Sequence, residues 1–330
     1  MALIPEAWFE AADRRISAHI LETPLTWDPK QGIYIKWENR QTTGSFKARG
    51  ALNKVLSLAE WETSPGLVAA SAGNHGQGVA LAGGLVGAAV DIFVPRHTAR
   101  TKIEAMKHLG ASVRLIEGGY SEAERAGRVY AEETGKVFIS PYNDGQVIAG
   151  QGTLALECLR QLVEMSATNV ERTQPIACWI VPTGGAGLIS GCGQVLSRRG
   201  PRPRLVGVQA AASPFAHSLL YRHSQQDVKD NPTLADGLSG AIEEDSLTIP
   251  LLQRYVDEVL LVSEPEIERA IAYAWRNYGE RIEGSAATAL AVVIENKVRE
   301  RAALVVITGG NLDPEVHHAI VAAQTAEGQI

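Results

Sequence analysis

The sequence predicts an α/β fold in which parallel sheets are connected by crossover helices. Short runs rich in β-branched residues alternate with helical patterns along nearly the whole chain of 330 residues. Most of these runs are continuously apolar, which is typical of strands covered by helices on both faces. The predicted strands are 33–38, 67–71, 90–94, 112–116, 137–139, 179–181, 205–208, 259–262 and 304–308.

Helical patterns fill the gaps between the predicted strands. The clearest lie at 99–109, 122–134, 152–164 and 266–278. A strand in a parallel sheet needs a crossover connection, usually a helix, to reach its neighbour. The alternation of strand and helix therefore predicts parallel sheets rather than separate helical and sheet domains.

The composition is that of an ordinary globular protein, with 45% hydrophobic and 21% charged residues. A formal net charge of −6 and a pI near 5.8 argue against nucleic acid or an anionic membrane surface as the main partner. The longest apolar stretch, 80–94, is interrupted by glycines and contains Asp91, so no membrane span is expected.

The N-terminal stretch MALIPEAWFEAADRR carries acidic residues and has no apolar core, so it does not resemble a signal peptide. The three cysteines, Cys158, Cys178 and Cys192, form no CxxC pair and are too sparse for a disulfide framework. We therefore expect a reducing, cytoplasmic location.

Four polar or glycine-rich turns each follow a predicted strand. They are QTTGSFKARG at 41–50, SAGNHGQG at 71–78, PTGGAGLISG at 182–191 and TGGN at 308–311. Ligands of open parallel sheets bind where strands end and helices begin. We therefore expect a single site that is assembled from all four turns.

Lys47, in the first of these turns, is expected in the first turn of a helix. Residues 42–45 have the composition of a turn with a helix cap, and 51–58 has a helical pattern. A helix N-terminus carries partial positive charge and disfavours a cation. The position of this lysine therefore calls for a functional explanation.

The turn at 182–191 has the composition of a phosphate-binding loop, because glycines and a following helix N-terminus can direct backbone N–H groups at an anion. It matches neither GxxxxGK[ST] nor GxGxxG, and it lacks a Walker lysine. A cofactor with a single phosphate therefore fits better than a nucleoside triphosphate. A purely structural tight turn is an equal alternative.

Asn74 and His75 in the second turn are candidates for binding a polar ligand. Asn74 could equally be a helix N-cap, and His75 a satisfied histidine at a helix start. The spacing of the eight histidines indicates no zinc site, and no GxSxG motif marks a hydrolase.

Taken together, the four turns resemble the threonine/serine dehydratase branch of the fold-type II pyridoxal-phosphate enzymes. The matching stretches are ENRQTTGSFKARGALN, AASAGNHGQGVA, PYNDGQVIAGQGTLALE, VPTGGAGLISG, TLADGL and VVITGGN, in the family's order. The resemblance implies two lobes, each an open, mostly parallel sheet with helices on both faces. The large cofactor-binding lobe would cover 1–59 and 146–330, and the small mobile lobe 60–145.

The resemblance also implies pyridoxal 5'-phosphate as cofactor, with Lys47 as the residue that forms the Schiff base. A helix start and a partly dry pocket would favour the neutral, nucleophilic amine of this lysine. Phe46 would pack on the pyridine ring, Thr308 would hydrogen-bond the pyridine nitrogen, and Asn74 would contact the ring oxygen.

The cradle for the cofactor phosphate matches Gly184, Gly185, Ala186, Gly187 and Leu188. Ala186 replaces a glycine that is common in the family. Its methyl group is acceptable if the residue has a negative φ, since the phosphate would be bound by the backbone N–H.

Further residues match the family's substrate site. The loop that receives the substrate carboxylate matches Ser71, Ala72, Asn74 and His75, a bordering loop matches Asp236 and Gly237, and a nearby carboxylate matches Glu283. The last assignments rest on short matches, since an Asp before Gly is often only a turn residue.

The activity implied is β-elimination from L-threonine or L-serine, which gives a 2-oxo acid and ammonia, with Lys47 removing the α-proton. Racemases of the family have a serine where this chain has Ala72, and alanine cannot transfer a proton. The stretch SPYNDG also resembles dehydratases more than racemases. The segment QAAASPF after RLVGV contains no carboxylate, so no metal is expected there. Family membership further implies a homodimer or homotetramer.

Several alternatives stay open. Within the family they are a dehydratase for 3-hydroxyaspartate or an aryl-serine, a serine racemase, and a β-replacement synthase, although synthases usually carry Gly-Asn-Thr where this chain has GNHG. Outside enzymes, the chain could be a non-catalytic α/β ligand-binding protein that kept the fold. The joint retention of Lys47, Asn74 and Thr308 argues against that interpretation.

Overall fold

The computed structural model describes residues 4–168, 175–300 and 302–326 of the chain. The strands in these residues are β1 (Leu25–Asp28), β2 (Ile33–Trp37), β3 (Leu67–Ala70), β4 (Val90–Pro95), β5 (Ser112–Ile116), β6 (Val137–Phe138), β7 (Cys178–Pro182), β8 (Arg204–Ala210), β9 (Glu258–Val262) and β10 (Ala303–Ile307). Every predicted strand is present, with small differences at the ends. The sequence prediction missed β1, because its half-exposed LTWD pattern lacks the continuous apolar run of a covered strand.

The helices are α1 (Glu6–Ile16), α2 (Lys47–Leu56), α3 (Glu60–Thr63), α4 (Asn74–Leu85), α5 (Arg100–His108), α6 (Tyr120–Thr134), α7 (Gly145–Thr168), α8 (Gly187–Leu196), α9 (Phe215–Arg222), α10 (Thr248–Tyr255), α11 (Glu264–Tyr278), α12 (Gly284–Ile294) and α13 (Pro314–Ala326). Helix α2 begins at Lys47 rather than at 51. Helix α7 begins at Gly145 rather than at 152, although glycine is a poor helix former. Close packing explains the exception: a Cβ on Gly150 would lie 2.6 Å from the carbonyl oxygen of Arg49 in α2.

The larger sheet has six strands in the order β1-β2-β10-β7-β8-β9. Strands β1 and β2 are antiparallel, and the remaining neighbours are parallel. Alternate residues of β10 enter two different cores. Leu304 and Val306 pack with the core beneath α1, α7 and α8, whereas Val305 and Ile307 pack with the core beneath α11 and α12. This sheet is therefore covered by helices on both faces.

The smaller sheet has four parallel strands in the order β5-β4-β3-β6. It too has a core on each face, since Leu67 and Ala69 enter one cluster and Val68 and Ala70 enter another. The predicted fold class, α/β with two mostly parallel sheets, is confirmed. The boundaries of the lobes at 59/60 and 145/146, and the mobility of the small lobe, stay predictions.

Sheet order brings three of the four turns together at one edge. Strand β10 lies between β2 and β7, so the turns after these strands are neighbours. The backbone N–H of Phe46 donates to the carbonyl of Thr308 at 3.0 Å, and that of Gly310 donates to the carbonyl of Gly44 at 3.0 Å. The Lys47 turn is thus bonded directly to the TGGN turn.

Within the described residues, no helix has the length and hydrophobicity needed to cross a membrane. The same residues contain no cluster of three or more His, Cys, Asp or Glu side chains that could hold a metal ion.

Candidate active site

Lys47 is the first residue of α2, and it is half-buried. Its Nζ donates to the carbonyl of Pro141 at 3.2 Å and lies 5.3 Å from the centroid of the Phe46 ring. Burial lowers the pKa of Lys47 to about 8, and the nearby carboxylate of Glu283 opposes that effect. The neutral form of this amine is therefore accessible at a much lower pH than for an exposed lysine.

The turn before Lys47 depends on a glycine. Gly44 has φ 71, a conformation that glycine adopts at little cost. A Cβ at this position would also lie 2.6 Å from Oδ1 of Asn311. Phe46 directly precedes the helix and packs against the core of the larger sheet, while Thr308, whose carbonyl it bonds, is buried at the end of β10.

The predicted phosphate cradle forms the start of α8. Gly184 and Gly185 leave no room for a side chain unless their neighbours shift, since a Cβ would lie 2.9 Å from Cα of Leu238 and 2.4 Å from Cδ1 of Tyr142, respectively. Leu188 lies in the first turn of α8, where backbone N–H groups have no intrahelical acceptor. The loop is therefore enclosed by residues 142 and 238 while its N–H groups remain free to bind an anion.

Ala186 has φ 62, so the condition of a negative φ, under which its methyl group would be accepted without strain, is not met. The left-handed region costs a non-glycine residue about 1–2 kcal/mol. The strain has a geometric consequence, because a left-handed residue followed by the helical Gly187 turns successive N–H groups toward one side. That alternation is the backbone geometry of an anion-binding nest.

Tyr142 is a residue of this site that the sequence prediction did not name. Its ring covers Gly185 of the cradle, its Cβ and backbone lie against Gly187, and its hydroxyl accepts from the backbone N–H of Glu243 at 3.1 Å. Burial raises the pKa of Tyr142, so the phenol stays protonated at neutral pH. The signal in the sequence is an aromatic residue a few positions after the end of the short strand β6.

Asn74 begins α4, at the end of β3 in the smaller sheet. Its Nδ2 donates to Oε1 of Glu283 at 2.7 Å, and its Oδ1 accepts from Nδ2 of Asn311 at 2.7 Å. Asn311 also donates to the carbonyl of Thr43 at 2.9 Å. The contacts bring the second and fourth turns together across the two sheets, as the sequence predicted for a single site.

Glu283 precedes α12 and contacts the other site residues. Burial raises its pKa to about 7, and the charge of Asp236 adds to that effect, while Lys102, the amide of Asn74 and the backbone N–H of Asn311 oppose it. A Cβ on Gly309 would lie 2.5 Å from Oε1 of Glu283, so only glycine leaves room for this carboxylate.

Ser71 and His75 are held by contacts within the smaller sheet. The hydroxyl of Ser71 accepts from the backbone N–H of Gly73 at 3.1 Å. Burial and the charge of Lys47 lower the pKa of His75 to about 3, so the ring is neutral, and its Nε2 lies 2.8 Å from the carbonyl of Ile139. A carbonyl only accepts, hence Nε2 carries the proton and the imidazole has no N–H left for a substrate carboxylate. The backbone N–H of His75, in the first turn of α4, has no intrahelical acceptor.

Asp236 and Ala72 lie at the margin of the predicted site. Asp236 is mostly exposed and forms an ion pair with Lys102 of α5 at 2.5 Å, which joins the larger sheet's loop to the smaller sheet. Ala72 is half-buried in the turn before α4. The backbone N–H of Gly237 donates to the hydroxyl of Ser285 at 3.1 Å.

The residues present fit pyridoxal phosphate. The chain offers a half-buried lysine amine of lowered pKa, a nest at a helix N-terminus for a phosphate, and an amide, Asn74, held by Glu283 and Asn311. A family model described as "Pyridoxal-phosphate dependent enzyme" matches residues 16–309. The chain belongs to this family.

Similarity within this pyridoxal-phosphate family is high over most of the chain. An L-threonine ammonia-lyase of Thermotoga maritima is 40% identical over 291 residues, which cover 88% of this chain and 69% of the relative. A solved threonine deaminase from the organism abbreviated T.th. is 32% identical with a TM-score of 0.85, and the match covers 93% of this chain and 98% of that one. Maize serine racemase is 27% identical with a TM-score of 0.86, with 98% of each chain covered.

Proposed function

We propose that this pyridoxal-phosphate enzyme is an ammonia-lyase that converts L-threonine and L-serine to the 2-oxo acid and ammonia. The observation that carries the proposal is the half-buried Lys47 amine, whose pKa is lowered to about 8 and which bonds the carbonyl of Pro141, the neighbour of the Tyr142 ring that covers Gly185 of the glycine cradle. The names of the Thermotoga maritima ammonia-lyase and of the T.th. threonine deaminase support the choice of reaction and substrate.

Residues of this chain would hold the cofactor at three points. The amine of Lys47 would bind it covalently, the backbone N–H groups of 184–188 would bind its phosphate, and the Thr308 hydroxyl would face the pyridine nitrogen. Phe46 would pack against the ring, and Asn74 would donate to the ring oxygen. When bound, pyridoxal phosphate withdraws electrons from the α-carbon of the amino acid and so permits loss of the α-proton and the β-hydroxyl.

Lys47 would then act as the base. Its neutral amine, when it is not bound to the cofactor, would accept the α-proton of the amino acid. The substrate carboxylate would be bound by the turn at 71–75 through the hydroxyl of Ser71 and the backbone N–H groups at the start of α4. The imidazole of His75 donates its one N–H to the Ile139 carbonyl and would shape the pocket rather than donate to the substrate.

Ala72 favours elimination over racemisation. Racemisation needs a second acid/base group on the face opposite Lys47, and a methyl group cannot transfer a proton. The similarity to maize serine racemase shows a shared fold. Dehydratases for 3-hydroxyaspartate or aryl-serines stay alternatives, because the residues that would contact the β-substituent are not assigned.

A substrate panel tests the proposal. The purified enzyme is given L-threonine, L-serine, 3-hydroxyaspartate and phenylserine, and the release of 2-oxo acid is measured. We expect turnover of threonine and serine, a loss of at least about 1,000-fold in Lys47→Ala, and no change in Lys229→Ala, which alters an exposed lysine. Turnover of only the acidic or aromatic substrate would reject the substrate assignment.

Racemisation is measured separately by circular dichroism of L-serine. Rapid inversion would contradict the argument from Ala72. A wild-type protein without the visible absorbance band of a lysine-bound cofactor would remove the basis of the proposal altogether.

We also propose that the protein is a cytoplasmic homodimer or homotetramer. The three buried, free thiols agree with a reducing location. The oligomeric state is the one that the resemblance to the family implies. Sedimentation of the purified enzyme tests the oligomeric state, and a single monomeric species would contradict it.

A further inference from the structure

Asn311 is a half-buried residue just after β10 that contacts three separate parts of the site. Its Nδ2 donates to the carbonyl of Thr43 at 2.9 Å and to Oδ1 of Asn74 at 2.7 Å. Its backbone N–H also stabilises the carboxylate of Glu283. Asn74 closes the ring by donating its own Nδ2 to Oε1 of Glu283 at 2.7 Å.

The partners of these amides fix their orientation. The oxygen and nitrogen of an asparagine side chain are distinguished by what they face. Because the Thr43 carbonyl only accepts, the Asn311 atom beside it is the nitrogen. That nitrogen needs an acceptor in Asn74, which directs Oδ1 of Asn74 toward Asn311 and Nδ2 toward Glu283. The bonds therefore run in one direction, from Asn311 through Asn74 to Glu283.

The ring of contacts joins elements that the chain keeps far apart. Asn74 follows a strand of the smaller sheet, whereas Asn311 follows the central strand β10 of the larger sheet. Asn311 also lies against Gly44, where a Cβ would approach its Oδ1 to 2.6 Å, three residues before Lys47. One side chain thus relates the Lys47 turn to the Asn74 amide.

We propose that Asn311 is a positioning residue that orients the Asn74 amide for pyridoxal phosphate. The inference rests on the proposed function. Asn74 has two N–H bonds: one is donated to Glu283, and the other stays available for the ring oxygen of the cofactor. Without a donor at 311 the amide group of Asn74 can rotate by about 180° and direct its oxygen at the cofactor, and an amide oxygen cannot donate a hydrogen bond.

Two variants with opposite hydrogen-bonding properties test this role. Asn311→Ala removes the donor and leaves the Asn74 amide free to flip. Asn311→Asp places an acceptor beside Oδ1 of Asn74, and the repulsion between the two oxygens favours the flipped amide. A matched control is Asn277→Ala, which changes an asparagine whose side chain donates to the carbonyl of Tyr273 in its own helix, α11.

Three quantities are measured: the affinity of the cofactor-free protein for pyridoxal phosphate, the position and pH dependence of the visible band, and the unfolding midpoint of the cofactor-free protein. We expect the affinity for pyridoxal phosphate to fall about 5-fold in Asn311→Ala, because one hydrogen bond is lost. We expect it to fall by at least about 10-fold in Asn311→Asp, because a repulsion replaces that hydrogen bond. We also expect the band to shift in both variants and to stay in place in Asn277→Ala.

The order of the two variants separates orientation from simple destabilisation. Unchanged affinity and band in both variants would overturn the inference, and so would a lowered unfolding midpoint with an unchanged band. If Asn311→Asp does not fold, Asn311→Ala, which adds no charge, decides by the same criteria. Absence of the visible band in the wild-type protein would instead reject the proposed function, so the two failures are distinguishable.

Discussion

Arg49, two residues after Lys47, forms a fully buried ion pair with Glu38 that includes two hydrogen bonds. The Nε and Nη2 atoms of Arg49 each lie 2.8 Å from a carboxylate oxygen of Glu38. Arg49 also pairs with Glu157 of α7, which in turn pairs with Lys36 of β2. Two cations and two carboxylates thus balance one another in the protein interior and fix α2 against β2 and α7.

Breaking this cluster should destabilise the protein strongly. Replacing Arg49 by Met leaves the cluster with two carboxylates and one cation, Lys36. Removal of one partner of a buried pair costs about 3–5 kcal/mol. Burial disfavours the guanidinium, but Glu38 and Glu157 outweigh it and raise the pKa of Arg49. Denaturant unfolding of the cofactor-free protein measures the effect.

An exposed pair supplies the control for that measurement. Arg96 and Glu117 are bonded on the surface with most of each side chain in solvent. Arg96→Met should therefore change the free energy of unfolding by less than about 1 kcal/mol. Equal costs for the two variants would contradict the assignment of the buried cluster as a stabilising unit.

Replacing Glu283 by Gln should lower the pH at which Lys47 captures the cofactor. Capture requires the neutral amine, whose fraction rises with pH through a pKa of about 8. The Glu283 charge raises that pKa, so its removal lets the amine lose its proton at lower pH. The rate at which the cofactor-free protein forms the visible band is measured against pH. Glu104→Gln, on the exposed face of α5, is the control; a midpoint that moves upward in Glu283→Gln would contradict the prediction.

Replacing Ala186 by Gly should stabilise the protein by about 1 kcal/mol. Ala186 has a left-handed conformation that glycine adopts without the steric cost, and this gain exceeds the greater backbone entropy that glycine loses. The same change at Ala322, an exposed residue within α13, should instead cost about 1 kcal/mol. Opposite signs in thermal unfolding are the expected result, and destabilisation by both changes would refute it.

Replacing Gly185 by Ala should weaken cofactor binding by about 10-fold or more. The new Cβ would lie 2.4 Å from Cδ1 of Tyr142, so the ring or the cradle must shift. In Gly84→Ala of α4 the new Cβ would have no atom of the described residues within 4 Å, and stability should rise by about 0.5–1 kcal/mol. Titration of the cofactor-free variants with pyridoxal phosphate compares them, and equal affinities would show that the cradle tolerates the methyl group.

The strands and the four turns could be predicted because both are local patterns. Covered strands are continuously apolar, and the turns after them concentrate glycine and polar residues. The conformation of Ala186 could not be predicted in this way. Its positive φ occurs in a loop whose glycines pack against Tyr142 and Leu238, and alanine is not a residue type that predicts a positive φ.

The buried charges and the Asn311 contacts depend on residues that are distant in the sequence. Arg49 at a helix start is compatible with a solvated cation, and it is Glu38 and Glu157 that make burial possible. The sequence shows one sign of the buried charge cluster, because Lys36 and Glu157 interrupt the apolar runs IYIKW and TLALECL. Charges in such runs indicate a buried partner without identifying it.

The segment that returns the chain from the smaller sheet to α7 has a consequence for the exchange of the cofactor. Tyr142 in this segment covers the phosphate cradle, and the neighbouring Asn143 is bonded to Glu243 and to the backbone of Leu247. A phosphate seated at 184–188 would lie behind the same segment that connects the two sheets. The predicted motion of the small lobe would therefore also move the cover of the cradle, and the release of the cofactor would depend on the same motion.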